Sequence, residues 1–99
     1  MLYAIISTDI ENSTPLRQQA RPEHLQRLEV LKSEGRLVLA GPHPVIDSDD
    51  PDASEFSGSL VVAEFSSQDD PQSWADRDPY VAAGVYVEVM VKPFKKVLP

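Results

Sequence analysis

The chain opens on an unbroken apolar, β-branched run, Leu2-Tyr3-Ala4-Ile5-Ile6, which predicts a first strand over residues 2–7. Polar turn chemistry follows in Asp9-Ile10-Glu11-Asn12-Ser13-Thr14. Two helix starts compete after it. Thr14-Pro15 offers an N-cap with proline at the first helical position, while Pro22 disfavours helical geometry at Arg21 and makes Arg21-Pro22-Glu23 the firmer start. From Pro22 the helix is expected to run to about Glu34, where Gly35 supplies the residue that helices favour just past their ends.

Residues 36–41, centred on Leu37-Val38-Leu39-Ala40, predict a second strand. The proline-rich, acidic stretch 42–57 reads as a long exposed loop. A third strand is expected over 58–65 and a second helix from Asp69-Asp70-Pro71 through Trp74 and Ala75. Asp78-Pro79 interrupts that helix, a short turn ends at Gly84, and residues 85–91 form the fourth strand. The order β-α-β-β-α-β is the ferredoxin-like plan, an α+β fold with both helices on one face of a four-stranded antiparallel sheet.

The strands carry more apolar surface than two helices can cover. Leu37 to Ala40 and Leu60 to Ala63 are apolar at every position, whereas a sheet with one wet face should alternate. In the last strand Val85, Val87, Val89 and Val91 are expected to fill one face, with Tyr86, Glu88 and Met90 on the other. A second copy packed face to face, a homodimeric α+β barrel, resolves the excess. Shielding by the 42–57 loop is the competing explanation, but an acidic, proline-rich loop is a poor lid for apolar surface.

Composition narrows the possibilities. Ninety-nine residues suit one domain, 1–99, with one core. No apolar run approaches the roughly 20 residues needed to cross a bilayer, and no basic leader precedes the first strand. With no cysteine there is neither a disulfide framework nor a thiolate. These features predict a cytoplasmic protein with no membrane contact. A net charge of −7 repels phosphate backbones, so nucleic acid is not an expected partner. Lys92, Lys95 and Lys96 cluster at the C-terminal end, where a solvated chain end explains them.

Few residues are equipped for chemistry. His24 shares helical spacing with Leu28 and Leu31, which turns its ring toward the apolar side. Read alone, it is a hydrogen-bonded core histidine, unless a carboxylate meets it from another element. Asp78 is that candidate partner, because Pro79 forces it out of helical register; an Asx-type turn before proline is the plainer role. Such a carboxylate would hold one ring nitrogen and leave the other as general base or acid. His43 has no local partner, and two histidines without cysteine make a zinc site improbable. The run Asp47-Ser48-Asp49-Asp50-Pro51-Asp52 lacks the central glycine of an EF-hand, and Pro51 stands where a ligand belongs, so no metal is expected. Trp74 and Tyr80 flank Asp78, either walling a pocket or anchoring the second helix.

Taken together, the segments Arg21-Pro22-Glu23-His24-Leu25, Glu34-Gly35-Arg36-Leu37 and Ala40-Gly41-Pro42 resemble the YciI-like family. So do Gly58-Ser59-Leu60, Trp74-Ala75-Asp76-Arg77-Asp78-Pro79-Tyr80, Ala83-Gly84-Val85 and the ending Val91-Lys92-Pro93-Phe94. The resemblance spans essentially the whole chain. It implies a dimeric α+β barrel and an active-site histidine–aspartate pair, which falls here on His24 and Asp78. It also implies a link to dehydrochlorination of a chlorinated hydroxyhydroquinone, known for a relative. The functional expectation is thus a small-molecule enzyme without a cofactor, abstracting a proton for elimination or isomerisation. The competing class is a non-catalytic dimer that binds a metabolite or a protein, with His24 structural.

Overall fold

In the computed structural model, which describes every residue except Pro51 and Ala53, the chain forms a four-stranded antiparallel sheet with its helices on one face. The strands are β1 (Leu2–Asp9), β2 (Leu37–Pro44), β3 (Phe56–Glu64) and β4 (Tyr86–Phe94), in the spatial order β2-β3-β1-β4. The helices are α1 (Thr14–Ser33), α2 (Asp69–Asp76) and the single turn α3 (Pro79–Ala82). This is the expected ferredoxin-like α+β architecture. The place that Pro51 holds in the acidic run lies outside the described residues.

Cross-strand register sorts the side chains into two faces. One set of rows, Leu37-Ala63-Tyr3 and Ala40-Val61-Ile5-Val91, faces the helices and meets Leu28 and Leu31 of α1 in the core. The alternate rows, Leu39-Val62-Ala4 and Gly41-Leu60-Ile6-Met90, look away from the helices. Phe65 closes the core against Tyr3 and Trp74, with ring centroids 6.4 and 6.1 Å away. Trp74 is therefore an anchor of α2, the second of its two expected roles.

Three departures from the sequence reading shape the functional region. First, α1 begins at Thr14 and runs straight through Pro22 to Ser33, not from Pro22. Pro15 starts the helix without cost, and the one N–H that Pro22 lacks is outweighed by the contacts that the first turns make with β1 and β3. Second, β2 continues through Gly41-Pro42-His43-Pro44, so the loop between β2 and β3 covers 45–55 rather than 42–57. Prolines are tolerated there because β2 is an edge strand. Third, the pairing of β4 with β1 slips where Thr8 faces Glu88 and Asp9 faces Tyr86. The extra residue is Val87, which is 63% exposed instead of lying beside Val89 and Val91. This bulge reverses the side-chain alternation and turns Tyr86 toward the helices.

The end of α1 follows the expected glycine stop. Gly35 has φ +73, its N–H bonds the Lys32 carbonyl and the Arg36 N–H bonds the Leu31 carbonyl, the pair of bonds that defines a Schellman motif.

Candidate active site

Asp78 occupies the short link between α2 and α3 in an extended conformation, φ −64 and ψ 133, as the residue before a proline must. Its carboxylate caps α3 by accepting the Tyr80 N–H at 2.9 Å. The same carboxylate reaches across to α1, where His24 Nδ1 lies 2.9 Å from each of its oxygens. One side chain thus makes the turn contact before proline and the contact with His24 together. His24 is 7% exposed and Asp78 4%, so the pair is largely withdrawn from solvent. The ring of Tyr80 stacks on the imidazole at 3.9 Å with only 9° between the planes, which fixes the imidazole's tilt as Asp78 fixes its rotation.

One turn further along α1, Arg27 flanks the carboxylate from the other side. Its Nη1 lies 4.0 Å from Asp78 Oδ2, its Nη2 donates to the Trp74 carbonyl at 2.8 Å, and its guanidinium sits 4.4 Å from the Trp74 ring centre. Burial pulls the Arg27 pKa below its ordinary value, against the opposing pull of Asp78.

His24 opens onto a cavity of about 380 Å³ between α1 and the sheet. Asp78 does not line it. The helix presents Arg17, Arg21, His24 and Leu28 to the space, the sheet presents Ser59 and Val61, and Tyr80 and Phe56 close its sides. Among the described residues, His24 Nε2 has no protein hydrogen-bond partner. A carboxylate that accepts the Nδ1–H fixes the tautomer and leaves the lone pair on Nε2, the arrangement of a general base.

Beside this pair stands a second polar cluster that the sequence reading did not single out. Asp9, at the end of β1, receives Arg17 Nε at 2.6 Å and Nη2 at 3.0 Å, together with the Ser13 hydroxyl at 2.6 Å. Arg17 Nη2 also donates to the Gly58 carbonyl at 3.1 Å and to Ser59 Oγ at 2.9 Å. Burial acts to lower the Arg17 pKa, but the hydrogen bond and charge of Asp9 outweigh it and leave the value above the ordinary one. Tyr86 completes the cluster, its hydroxyl 2.9 Å from Ser59 Oγ and its ring edge-on to Tyr80 at 5.4 Å. Burial raises the Tyr86 pKa far above its usual range, so this phenol stays protonated. The signal for Arg17 was present in its spacing, since Arg17, Arg21, His24, Leu28 and Leu31 form one helical stripe once α1 starts at Thr14.

His43 is exposed on β2 opposite Gly58 and does not line the cavity. Among the described residues, no three His, Asp or Glu side chains are grouped to hold a metal ion. No helix among them is long and apolar enough to cross a membrane.

The chain is similar to proteins of known sequence and of known structure. The chain is 58% identical to Protein YciI of Escherichia coli O6:H1 over 97 residues, covering 98% of this chain and 99% of that one. An uncharacterized protein of Haemophilus influenzae is 48% identical with the same coverage. Among solved structures, the 5-chloro-2-hydroxyhydroquinone dehydrochlorinase TftG from Burkholderia phenoliruptrix, in complex with 2,5-dihydroxybenzoquinone, superposes with a TM-score of 0.84 at 28% identity. That alignment covers 96% of this chain and 94% of the dehydrochlorinase. The profile of the YCII-related domain matches residues 1–95, and the chain belongs to that family.

Proposed function

We propose that this protein is a small-molecule enzyme in which His24, oriented by Asp78, removes a proton from an activated substrate and so drives an elimination. One observation carries the reading: the carboxylate grips Nδ1 at 2.9 Å with both oxygens, while the rest of the ring borders a cavity of about 380 Å³. A structural histidine needs a partner but not a chamber. The similar fold of a dehydrochlorinase supports elimination as the reaction class. In such a step the proton moves to Nε2, its bonding electrons form the new double bond, and chloride departs with the electrons of the C–Cl bond. Electrons shift only within the substrate, so the step requires no redox cofactor.

Turnover of 5-chloro-2-hydroxyhydroquinone, followed as chloride release, tests this directly. His24→Ala is expected to lower the rate roughly 10²–10⁴-fold, the usual contribution of a positioned acid–base group. Asp78→Asn is expected to lower it as well while preserving the cap on α3, since Asn caps as well as Asp. Undiminished turnover in both variants contradicts the mechanism.

The same reading takes residues 1–99 as one domain, working as a homodimer in the cytoplasm. The sheet face opposite the helices supports pairing, because Leu39 and Met90 lie there 48% and 40% exposed. The cysteine-free composition supports the location.

A further inference from the structure

Two residues of α1 reach the segment that joins α2 to α3. His24 meets it at Asp78, and Arg27, three positions on and so on the same side of the helix, meets it at Trp74 and Asp78. The two oxygens of the Asp78 carboxylate are held differently. Oδ1 accepts the Tyr80 N–H at 2.9 Å, which ties it to the first turn of α3. Oδ2 faces His24 Nδ1 at 2.9 Å and Arg27 Nη1 at 4.0 Å, and among the described residues no backbone N–H bonds it. A carboxylate pinned at one oxygen can still turn about the bond that carries it. Here both oxygens nevertheless stand equally far from Nδ1.

Arg27 is the group placed to hold the second oxygen, and its own position is fixed elsewhere. Nη2 donates to the Trp74 carbonyl, and the guanidinium lies over the Trp74 ring, which packs in turn against Phe65 in the core. Nη1 is buried and, among the described residues, has no hydrogen-bond partner. A buried donor left unpaired costs stability, and among the described residues Asp78 offers the one carboxylate within 4.0 Å of this side chain. At that separation a cation attracts the oxygen without hydrogen-bonding it, so Oδ2 is left to accept from His24. Arg27 does not line the cavity.

We propose that Arg27 is a positioning residue for the His24–Asp78 pair: its guanidinium holds Oδ2 level with Oδ1, so that the carboxylate receives the Nδ1–H squarely and the Nε2 lone pair stays turned to the cavity. This rests on the reading of His24 as a general base and adds the residue that keeps it set. The Tyr80 N–H and Arg27 then grip the carboxylate from its two ends, and Trp74 is the mount that carries the arginine.

The ratio of Nδ1–H to Nε2–H in the uncharged His24 ring, read by ¹⁵N NMR, tests the proposal without turnover. That ratio reports how the carboxylate is held and does not move when a helix is merely loosened. Arg27→Met keeps the stem beside Trp74 and removes the charge. It is expected to lower the ratio about tenfold, the weight of one hydrogen bond to a charged group. Ala75→Gly is the comparison, a change on the core side of α2 that leaves the partners of Asp78 in place. It should lower the thermal midpoint and keep the natural ratio. If Arg27→Met does not fold, as circular dichroism reports, Arg27→Gln decides by the same ratio, since it retains a donor for the Trp74 carbonyl without the charge. A natural ratio in the arginine variant overturns the proposal. An equal fall in Ala75→Gly also overturns it, because a loosened helix then accounts for the effect. The base reading fails separately, in the natural sequence itself, if the ring there carries its proton on Nε2; the role of Arg27 falls with it.

Discussion

Asp78 contacts two groups at once, the Tyr80 N–H and His24 Nδ1, and that double duty separates its stability role from the chemical role proposed for it. Asp78→Ala removes both acceptors, so it should lower stability by about 0.5–2 kcal/mol through the lost cap. Asp78→Asn should leave the urea midpoint nearly unchanged. Asp9 behaves differently, because its side chain is fully buried against Arg17. Asp9→Asn leaves a buried cation with a neutral partner, and breaking such a pair costs about 3–5 kcal/mol. Chemical denaturation should show that loss, and a drop below about 1 kcal/mol would mean that Arg17 finds water or another acceptor. Tyr86 supplies a pH signature. Its folded pKa is raised by burial above the ordinary value of 10.0. The folded state therefore holds this proton more tightly than the unfolded one, which stabilises fully below about pH 10 and less as pH rises beyond it. Urea midpoints should fall above pH 10, and Tyr86→Phe should flatten that decline. An identical slope in the variant would contradict the assignment.

The elements explain why part of the site was legible in the sequence and part was not. His24 was readable because its spacing to Leu28 and Leu31 marks the inner face of a helix, and Asp78 because Pro79 breaks the helical register. Their meeting needed the fold. Arg17 was missed because Pro22 placed the start of α1 one turn beyond it, whereas the helix absorbs that proline. Tyr86 was missed because strict alternation sends it to the far face of β4, and only the bulge at Val87 brings it to Ser59. Long-range packing overrides local signals in both cases. The tolerated proline also makes a prediction. Pro22→Ala restores an N–H to the interior of α1 and should raise stability by about 1–3 kcal/mol, read as a higher thermal midpoint. A lower midpoint would show that the imino ring is needed for the line of the helix. Gly58 is the opposite kind of constraint. A Cβ there would collide with the Ser7 carbonyl and press on His43, so Gly58→Ala should destabilise the β1–β3 pairing beside the Arg17 cluster.

At the scale of the whole molecule, apolar strands exceed what three helices cover on one side. On the rows that look away from the helices, Leu39 and Met90 stay 48% and 40% exposed and Leu60 and Ile6 are only partly covered, and a second copy would bury them. Light scattering of Leu39→Glu with Met90→Glu should then report a monomer where the natural sequence reports a dimer; equal masses contradict a dimer built on this face. The proposed function, by contrast, turns on a single imidazole between one helix and the link that follows another. The most direct test is the protonation of the His24 ring nitrogens, read by ¹⁵N NMR in the uncharged form of the residue. The proton is expected on Nδ1, donated to Asp78, with Nε2 bare, and that preference should be lost in Asp78→Asn. A proton resident on Nε2 in the natural sequence would leave no lone pair facing the cavity and would contradict the proposed base.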